Sequence, residues 1–153
     1  MIYTSKILKA FNDKLTELYP TYKIYGVETY EGYKMPCFNT ELHLVNKERA
    51  NKNINVYNID VLIDYLNTPV DTAELMAVAD VLHANFSKTI TVDDRVFHID
   101  SFSQEYSGDY NQILTCVIGL RIYDNEYKND ITNPIEDVSL RIIKEERNGR
   151  TGN

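Results

Sequence analysis

Two runs of alternating apolar and polar residues, separated by a short polar segment, constrain the fold of this chain more than any other feature. In residues 54–66, apolar side chains recur at every second position and share one face: Tyr57, Ile59, Val61, Ile63 and Tyr65. Residues 37–45 alternate in the same way. Alternation with a period of two predicts β-strands with one buried face. Two such strands joined by the polar segment 46–53 predict an antiparallel hairpin.

The first helix is predicted over residues 4–18, where apolar residues recur every three or four positions. Thr4 or Ser5 could cap its N-terminus, because a hydroxyl oxygen can accept a hydrogen bond from a free backbone N–H. Pro20 prevents the helix from continuing. The apolar stripe predicts that this helix packs against another element.

A second helix is predicted over residues 68–86, with Asp71 as its N-cap and Glu74 as the partner residue of a capping box. Strand-like runs follow on both sides of the Asp-Asp pair at 93–94, and this pattern predicts a second, smaller hairpin. Residues 112–123 predict the last long strand.

These elements predict an α+β domain over residues 1–123, in which a single mixed, mainly antiparallel sheet carries both helices on one face. A short strand over residues 22–27 adds to that sheet. Residues 124–153 are polar apart from one apolar island and form a predicted C-terminal extension. Two interpretations of the extension are open. It is either an arm that folds on a neighbouring molecule, or a last element docked on its own domain and followed by a disordered tail.

The net charge bears on the partners of the chain. Its 153 residues carry a formal charge of −7, and the sequence pI is about 4.9. Proteins that bind nucleic acid through the phosphate backbone are usually basic, so general nucleic-acid binding is disfavoured. An acidic surface still allows DNA to pass without sticking, because like charges repel.

The cysteines and the N-terminus indicate a cytoplasmic origin. Cys37 and Cys116 both fall in predicted strands, where we expect small buried hydrophobic side chains. Residues 1–10 lack the apolar core and cleavage pattern of a secretory signal. No run approaches the ~18 apolar residues that predict a membrane span. We therefore expect a soluble protein, made in the host cytoplasm, that does not bind membranes.

The sequence contains no recognisable catalytic, cofactor or metal motif. His43, His83 and His98 are far apart in sequence, and no Cys pair has zinc-ligand spacing. We expect His83 to lie at the surface or at the edge of the core. Neither a phosphate-binding loop nor a nucleophile elbow is present. We therefore predict that the protein is not an enzyme and has no catalytic, cofactor-binding or metal-binding residues.

Asp60 and Asp64 offer the one alternative of catalytic type. They lie four residues apart on one face of the predicted strand 54–66. Paired carboxylates can bind magnesium or transfer protons, which would fit a small metal-dependent hydrolase or nuclease. More often such residues form a solvated strand face.

The segment 46–53 is the one basic region that stands out in this acidic chain. It carries Lys47, Arg49 and Lys52 against a single carboxylate, Glu48. Three interpretations are open: the segment is merely solvated, it touches DNA weakly, or it meets the acidic surface of an identical neighbour. The last of these suits head-to-tail self-association, in which different surfaces meet. We select Lys47, Glu48, Arg49, Lys52 and Asn53 as candidate interface residues.

The pattern of turns and apolar spacing is distinctive in five stretches: MIYTSKILKAFNDKL, MPCFNTEL, NKERANKNINVYNIDVLIDY, TAELMAVADVL and VDDRVFHI. In these stretches the chain resembles the phage tail terminator family, which occurs in phages and prophages of Gram-positive bacteria. The resemblance implies a structural virion protein that forms a ring, a hexamer in this family, on the end of the tail tube. Such a ring stops tube growth and offers a surface for head–tail joining.

The resemblance also implies the partners and the location of the chain. The partners would be further copies of itself, the tail tube protein, the head–tail connector, and DNA that passes through the lumen without specific binding. The location would be the head-proximal end of the virion tail. Alternative hypotheses are another connector or completion protein, a soluble ligand-binding domain, and the small hydrolase described above.

Overall fold

The computed structural model describes residues 3–26, 32–69, 71–108 and 113–125. In chain order its helices and strands are α1 (Thr4–Leu18), β1 (Lys23–Tyr25), β2 (Cys37–Arg49), β3 (Ile54–Leu66), α2 (Thr72–Phe86), β4 (Thr89–Val92), β5 (Arg95–Ser107) and β6 (Ile113–Asn125). Beyond Asn125, the predicted C-terminal extension lies outside the described residues.

Six strands form one sheet in the order β1-β2-β3-β6-β5-β4. β1 and β2 run parallel, and the other neighbouring pairs are antiparallel. β3 lies near the centre and pairs with β6 from Ile54 to Leu66 and with β2 from Asn55 to Leu66. The predicted α+β fold, with a mixed and mainly antiparallel sheet, is therefore confirmed.

One face of the sheet forms the core with the two helices. The predicted apolar face of β3 is buried, and β6 adds its own alternate residues directly opposite: Leu114, Cys116, Ile118, Leu120 and Ile122. The helices contribute their apolar stripes: Ile7, Phe11, Leu15, Leu75, Val78, Leu82 and Phe86. Phe11 of α1 stacks on Phe86 of α2, with ring centroids 5.3 Å apart. Both helices therefore pack on the same side, as predicted.

The sheet curls around α1. This helix contacts both β2 and β4, although β3, β6 and β5 lie between those strands in the sheet. In a flat sheet, strands four positions apart would be ~19 Å from each other, which is wider than the ~10–12 Å diameter of a helix. At one side, Thr40 donates a hydrogen bond of 2.8 Å to Asn12 Oδ1. At the other side, Lys6 Nζ lies 2.8 Å from Asp93 Oδ2, in the turn after β4.

Two β-bulges lie in the same transverse row of the sheet. Leu44, Ile59, Leu120 and Ile99 are neighbours across β2, β3, β6 and β5, and pairing shifts immediately after Leu44 and after Ile99. A bulge bends its strand and increases the local twist. The sheet therefore bends at this row, and residues 46–53 of the β2–β3 hairpin lie beyond the bend.

The polar segment between the long strands is shorter than predicted. β2 continues through Arg49, so residues 46–49 belong to the strand and only residues 50–53 form the loop. The bulge after Leu44 shifts the alternation by one residue, and the side chains beyond it are polar. For both reasons, residues 46–49 do not show the period-two alternation by which a strand is predicted. β6 likewise extends to Asn125, past its predicted end at residue 123.

The helix N-termini differ from the predictions. α1 is preceded by Tyr3 at the N-cap position, and no side chain caps it. α2 begins at Thr72, and Asp71 Oδ1 accepts a hydrogen bond of 3.0 Å from Ala73 N, as expected for an N-cap. Glu74 does not close a capping box. Its carboxylate accepts hydrogen bonds from Tyr65 Oη and Asn67 Nδ2, and thereby joins α2 to the end of β3.

Both cysteines are buried thiols in the sheet, as the sequence predicts. Burial raises the pKa of the Cys37 thiol. Burial, with a smaller effect of the nearby Asp64 carboxylate, raises the pKa of the Cys116 thiol to about 12. A thiol must ionise to act as a nucleophile, so Cys116 is unreactive near neutral pH.

Candidate functional site

The hairpin tip (residues 46–53) is an ordered projection. Ala50 N donates a hydrogen bond of 2.9 Å to Ile54 O and closes the turn. Inside the turn, Asn51 Oδ1 accepts hydrogen bonds from Asn53 N at 2.9 Å and from Ile54 N at 3.0 Å. A side-chain amide that bonds the backbone two residues ahead stabilises a tight turn. The tip therefore presents its side chains from a defined backbone.

The charged residues of the hairpin tip are divided between its two sides. Lys47 and Arg49 are two residues apart in β2, so both lie on the helix side of the strand. Lys47 Nζ lies 5.2 Å from the ring centroid of Tyr57, a cation–π distance. Glu48 points to the other side, where its carboxylate accepts a hydrogen bond of 2.6 Å from Asn46 Nδ2. The helix side of the tip is therefore positive.

Exposed apolar side chains mark the base of the hairpin tip. Leu44 is 49% exposed and Val45 is 61% exposed, although both belong to a long strand. The residue opposite Leu44, Ile59, is buried. On β2, burial therefore ends before the bulge, although Tyr57, beyond the bulge on β3, stays buried. The end of β2 leaves both apolar and basic groups accessible.

The second candidate surface is the polar face, on the side of the sheet opposite the two helices. It comprises alternate residues of four strands: Glu41, His43, Asn58, Asp60, Leu62, Asp64, Ser101, Ser103, Glu105, Thr115, Val117 and Arg121. Four carboxylates oppose one guanidinium among these residues, so the face is acidic. The acidic polar face and the basic hairpin tip are thus separate surfaces of opposite sign.

The apolar residues of the polar face form its centre. Leu62 and Val117 are directly opposite each other in β3 and β6, and both are half-buried. Asp64 lies one row to one side of this pair, and its Oδ1 accepts a hydrogen bond of 2.6 Å from Thr115 Oγ1. Asp60 lies one row to the other side. A small apolar centre within a polar border is the usual layout of a protein interface.

A close approach between strands occurs in the row that contains Asp60. Gly119 lies between Asp60 and Ser101, and a Cβ at position 119 would be only 2.3 Å from Ser101 Oγ and 3.5 Å from Asp60 Oδ1. The absence of a side chain at Gly119 therefore allows its neighbours to converge. Glycine inside a strand pattern often marks such an approach, and this was the sequence signal that could have located it.

The same row contains histidine and serine, but not as a catalytic pair. His43 is opposite Asp60 in β2, and its Nε2 pairs with Glu41 Oε1. Three strand spacings of ~4.8 Å separate β2 from β5, which carries Ser101, so the imidazole and the hydroxyl are far beyond hydrogen-bond distance. Activation of a serine by histidine requires about 3 Å between them.

Asp60 and Asp64 do not form a joint metal site either. Four residues along a strand span ~13 Å, whereas ligands of one magnesium ion lie within ~2.1 Å of it. Over the described ranges, no group of three or more His, Cys, Asp or Glu side chains could hold a metal ion. His83 is exposed on α2 with its ring edge-on to Phe102, in the surface position that the sequence predicts.

A groove lies between α1 and β4. Charged side chains of α1 line it: Lys6, Lys9, Asp13, Lys14 and Glu17. Several of these charges are already paired, since Lys9 Nζ lies 2.6 Å from Asp13 Oδ2 and Lys6 bonds Asp93. Exposed pairs of this kind contribute little to stability. The groove is therefore a weaker candidate than the two strand surfaces.

A curled sheet with a projecting basic hairpin and a polar face offers binding surfaces, and the sequence match assigns it to the structural proteins of phage tails. The family described as phage tail terminator protein matches residues 6–146, which is most of the chain. The chain belongs to this family and is a structural component of a phage tail.

Other comparisons add little to this assignment. Several solved structures match. One of them has 15% identity and a TM-score of 0.44, over 82% of this chain and 96% of that chain, and its name states no activity. At that TM-score the likeness carries no argument. A search of curated proteins gives no match. No helix in the described part of the chain is long and apolar enough to cross a membrane.

Proposed function

We propose that the chain assembles as a ring, a hexamer, on the head-proximal end of the tail tube, where it stops tube growth and provides the surface for head–tail joining. Membership of the tail terminator family is the observation that carries this proposal. Two surfaces support it, because a basic projecting tip and an acidic face on one chain suit contacts between unlike surfaces of neighbouring copies.

The mechanism of termination is occlusion. A ring that covers the exposed edge of the last tube layer leaves no site for another tube subunit, so binding alone ends growth. Such a role requires no covalent chemistry. It agrees with the separation of His43 from Ser101 by two strands and with the absence of a joint metal site at Asp60 and Asp64.

The hairpin tip is the proposed contact of each copy with its ring neighbour or with the tube. Lys47, Arg49 and Lys52 supply positive charge, and Glu48 and Asn53 supply polar contacts from an ordered turn. DNA would pass the acidic ring without specific binding, because the net charge of −7 repels phosphate.

Deletion of the gene from the phage tests the function. Without the protein, tails should grow beyond their normal length, and the wild-type chain supplied in trans should restore that length. Tail lengths are measured by negative-stain electron microscopy. Tails of normal length that do not join heads would instead identify a connector or completion protein. Gold-labelled antibody should locate the chain at the head-proximal end of complete tails.

Charge reversal tests the hairpin tip. The variant K47E/R49E/K52E should fail to restore tail length or to bind tails, since opposite charges would face the partner surface. The control K23E/K34E/K88E makes the same charge change at three exposed lysines away from the tip. It should behave like the wild type. Equal activity of the two variants would show that the tip is not the interface.

A further inference from the structure

We propose that the hairpin tip of one copy docks on the polar face of the next copy, so that Lys47, Arg49 and Lys52 meet the carboxylates around Leu62 and Val117. This inference rests on the proposed self-assembly, and it identifies the acceptor surface on the neighbouring subunit. The occupant of the polar face is thus a second copy of the chain.

Charge supports this pairing. The tip has three basic residues and one acidic residue, whereas the polar face has four acidic residues and one basic residue. Whole copies carry −7 and repel each other, so an attractive contact must match local patches of opposite sign. Within the described residues, these two patches lie on distinct surfaces. Opposite patches steer association and set the register of the contact.

Distance shows that the contact must form between copies. Lys47 and Arg49 lie on the helix side of the sheet, the face opposite these carboxylates. The loop that carries Lys52 ends at Ile54, six residues and ~20 Å from Asp60 along β3, and Asp64 is a further ~13 Å away. The tip is held by backbone hydrogen bonds at Ala50 and by the Asn51 amide, so it cannot fold back on its own face. A tip that reaches these carboxylates therefore belongs to another molecule.

The layout of the polar face suits an arriving strand end. Leu62 and Val117 form an apolar centre. Glu41 lies beside Leu62 in the same row, and Asp60, Asp64 and Glu105 lie in the two adjacent rows. Lysine and arginine can lay their apolar stems on such a centre while the charged ends reach outward. Leu44 and Val45, exposed at the base of the tip, add apolar surface to the same contact.

Because donor and acceptor surfaces differ, the contact is head-to-tail. Each copy can use its tip on one neighbour and its polar face on the other at the same time. Contacts of this type close into rings when the rotation between copies permits. Contacts between the hairpin tip and the polar face are therefore enough to build the ring of the proposed function.

Cysteine cross-linking tests the contact directly in assembled particles. The variant N53C/S103C places one thiol in the tip and one on the polar face, ~30 Å apart along and across the sheet of one molecule. The native cysteines are buried and give a low background. Oxidation of purified tails should give a ladder of disulfide-linked multimers on a non-reducing gel. The control N53C/M76C, with its second thiol exposed on α2, should stay monomeric.

Charge exchange provides an independent test. The variant E41K/E105K should lose tail termination as K47E/R49E/K52E does, and a chain that carries all five changes should regain at least half of the normal-length tails. Thermal melting checks that each variant folds. If E41K/E105K does not fold, D60N removes one charge from the polar face with a smaller change of side chain. If tails terminate normally but neither cross-links nor rescue appear, the docking is wrong and the terminator function stands. If deletion leaves tail length unchanged, the proposed function itself is wrong.

Discussion

The two sides of β3 illustrate how one strand serves two purposes. On the helix side, Ile59, Val61 and Ile63 are buried in the core, and α1 and α2 cover them. On the other side, Asp60, Leu62 and Asp64 alternate charge with apolar surface and are only half-buried. A change on the first side should cost stability, whereas a change on the second side should cost recognition. The predictions below test that division.

The largest loss of stability should come from the packed helices. Phe11→Ala removes a fully buried ring that stacks on Phe86. Substitutions of this kind cost about 3–5 kcal/mol, since they lose buried area and leave a cavity. Urea denaturation followed by circular dichroism measures the change. Val45→Ala, at an exposed position, is the matched control and should change the free energy of unfolding by less than about 0.5 kcal/mol.

Tyr65→Phe should have the next largest effect. It removes the hydrogen bond from the buried phenol to the Glu74 carboxylate, which joins β3 to α2. Loss of a hydrogen bond to a charged group costs about 1.5–3 kcal/mol. Burial and the Glu74 contact raise the pKa of Tyr65 above its usual 10.0. The unfolded chain therefore ionises first as pH rises past about 10, and wild-type stability falls there.

The pH series supplies the control for Tyr65. The difference in unfolding free energy between wild type and Tyr65→Phe should be constant up to neutral pH and should shrink as pH rises above 10.0. A difference that does not change at alkaline pH would show that folding does not raise the pKa of the Tyr65 phenol.

A smaller loss of stability is expected at Gly119, where the side chains of Asp60 and Ser101 converge on the polar face. In Gly119→Ala, the new methyl group would meet Ser101 Oγ, which must rotate away. Leaving a preferred rotamer costs of order 1 kcal/mol. The double variant Ser101→Ala/Gly119→Ala removes the clash and should recover most of the lost stability, as a double-mutant cycle would measure. A loss that persists in the double variant would place the strain in the backbone.

The smallest effect on stability should occur at the hairpin tip. Lys47→Met removes the cation–π contact with Tyr57, and exposed contacts of this kind are worth about 0.5–1 kcal/mol. Thermal melting should shift by only a few degrees, while tail binding should weaken more clearly. A large loss of stability here would contradict the division between a packing side and a recognition side.

Much of the fold could be predicted because its local signals agree with its packing. The period-two pattern of residues 54–66 and the helical stripe of residues 4–18 describe faces that the structure buries. The end of β2 could not be predicted, because a bulge after Leu44 breaks the alternation and polar residues follow it. The role of Glu74 was also missed, since its partners come from outside α2: Tyr65 lies in β3 and Asn67 just after that strand.

The candidate surfaces divide in a similar way. The basic segment was visible as a cluster of charges that are close in sequence. The acidic face was not, because Glu41, Asp60 and Glu105 belong to three strands that only the sheet order brings side by side. The match of residues 6–146 to the tail terminator family confirms the resemblance read from the turns and apolar spacing.

The sequence by itself determined the elements and the buried side of each one, since hydrophobic periodicity acts over neighbouring residues. Tertiary structure alone decided which strands became neighbours, where the sheet bends, and how scattered carboxylates form one surface. These features depend on pairing between residues far apart in the chain. No local pattern records such pairing, because its free energy arises only when the strands meet.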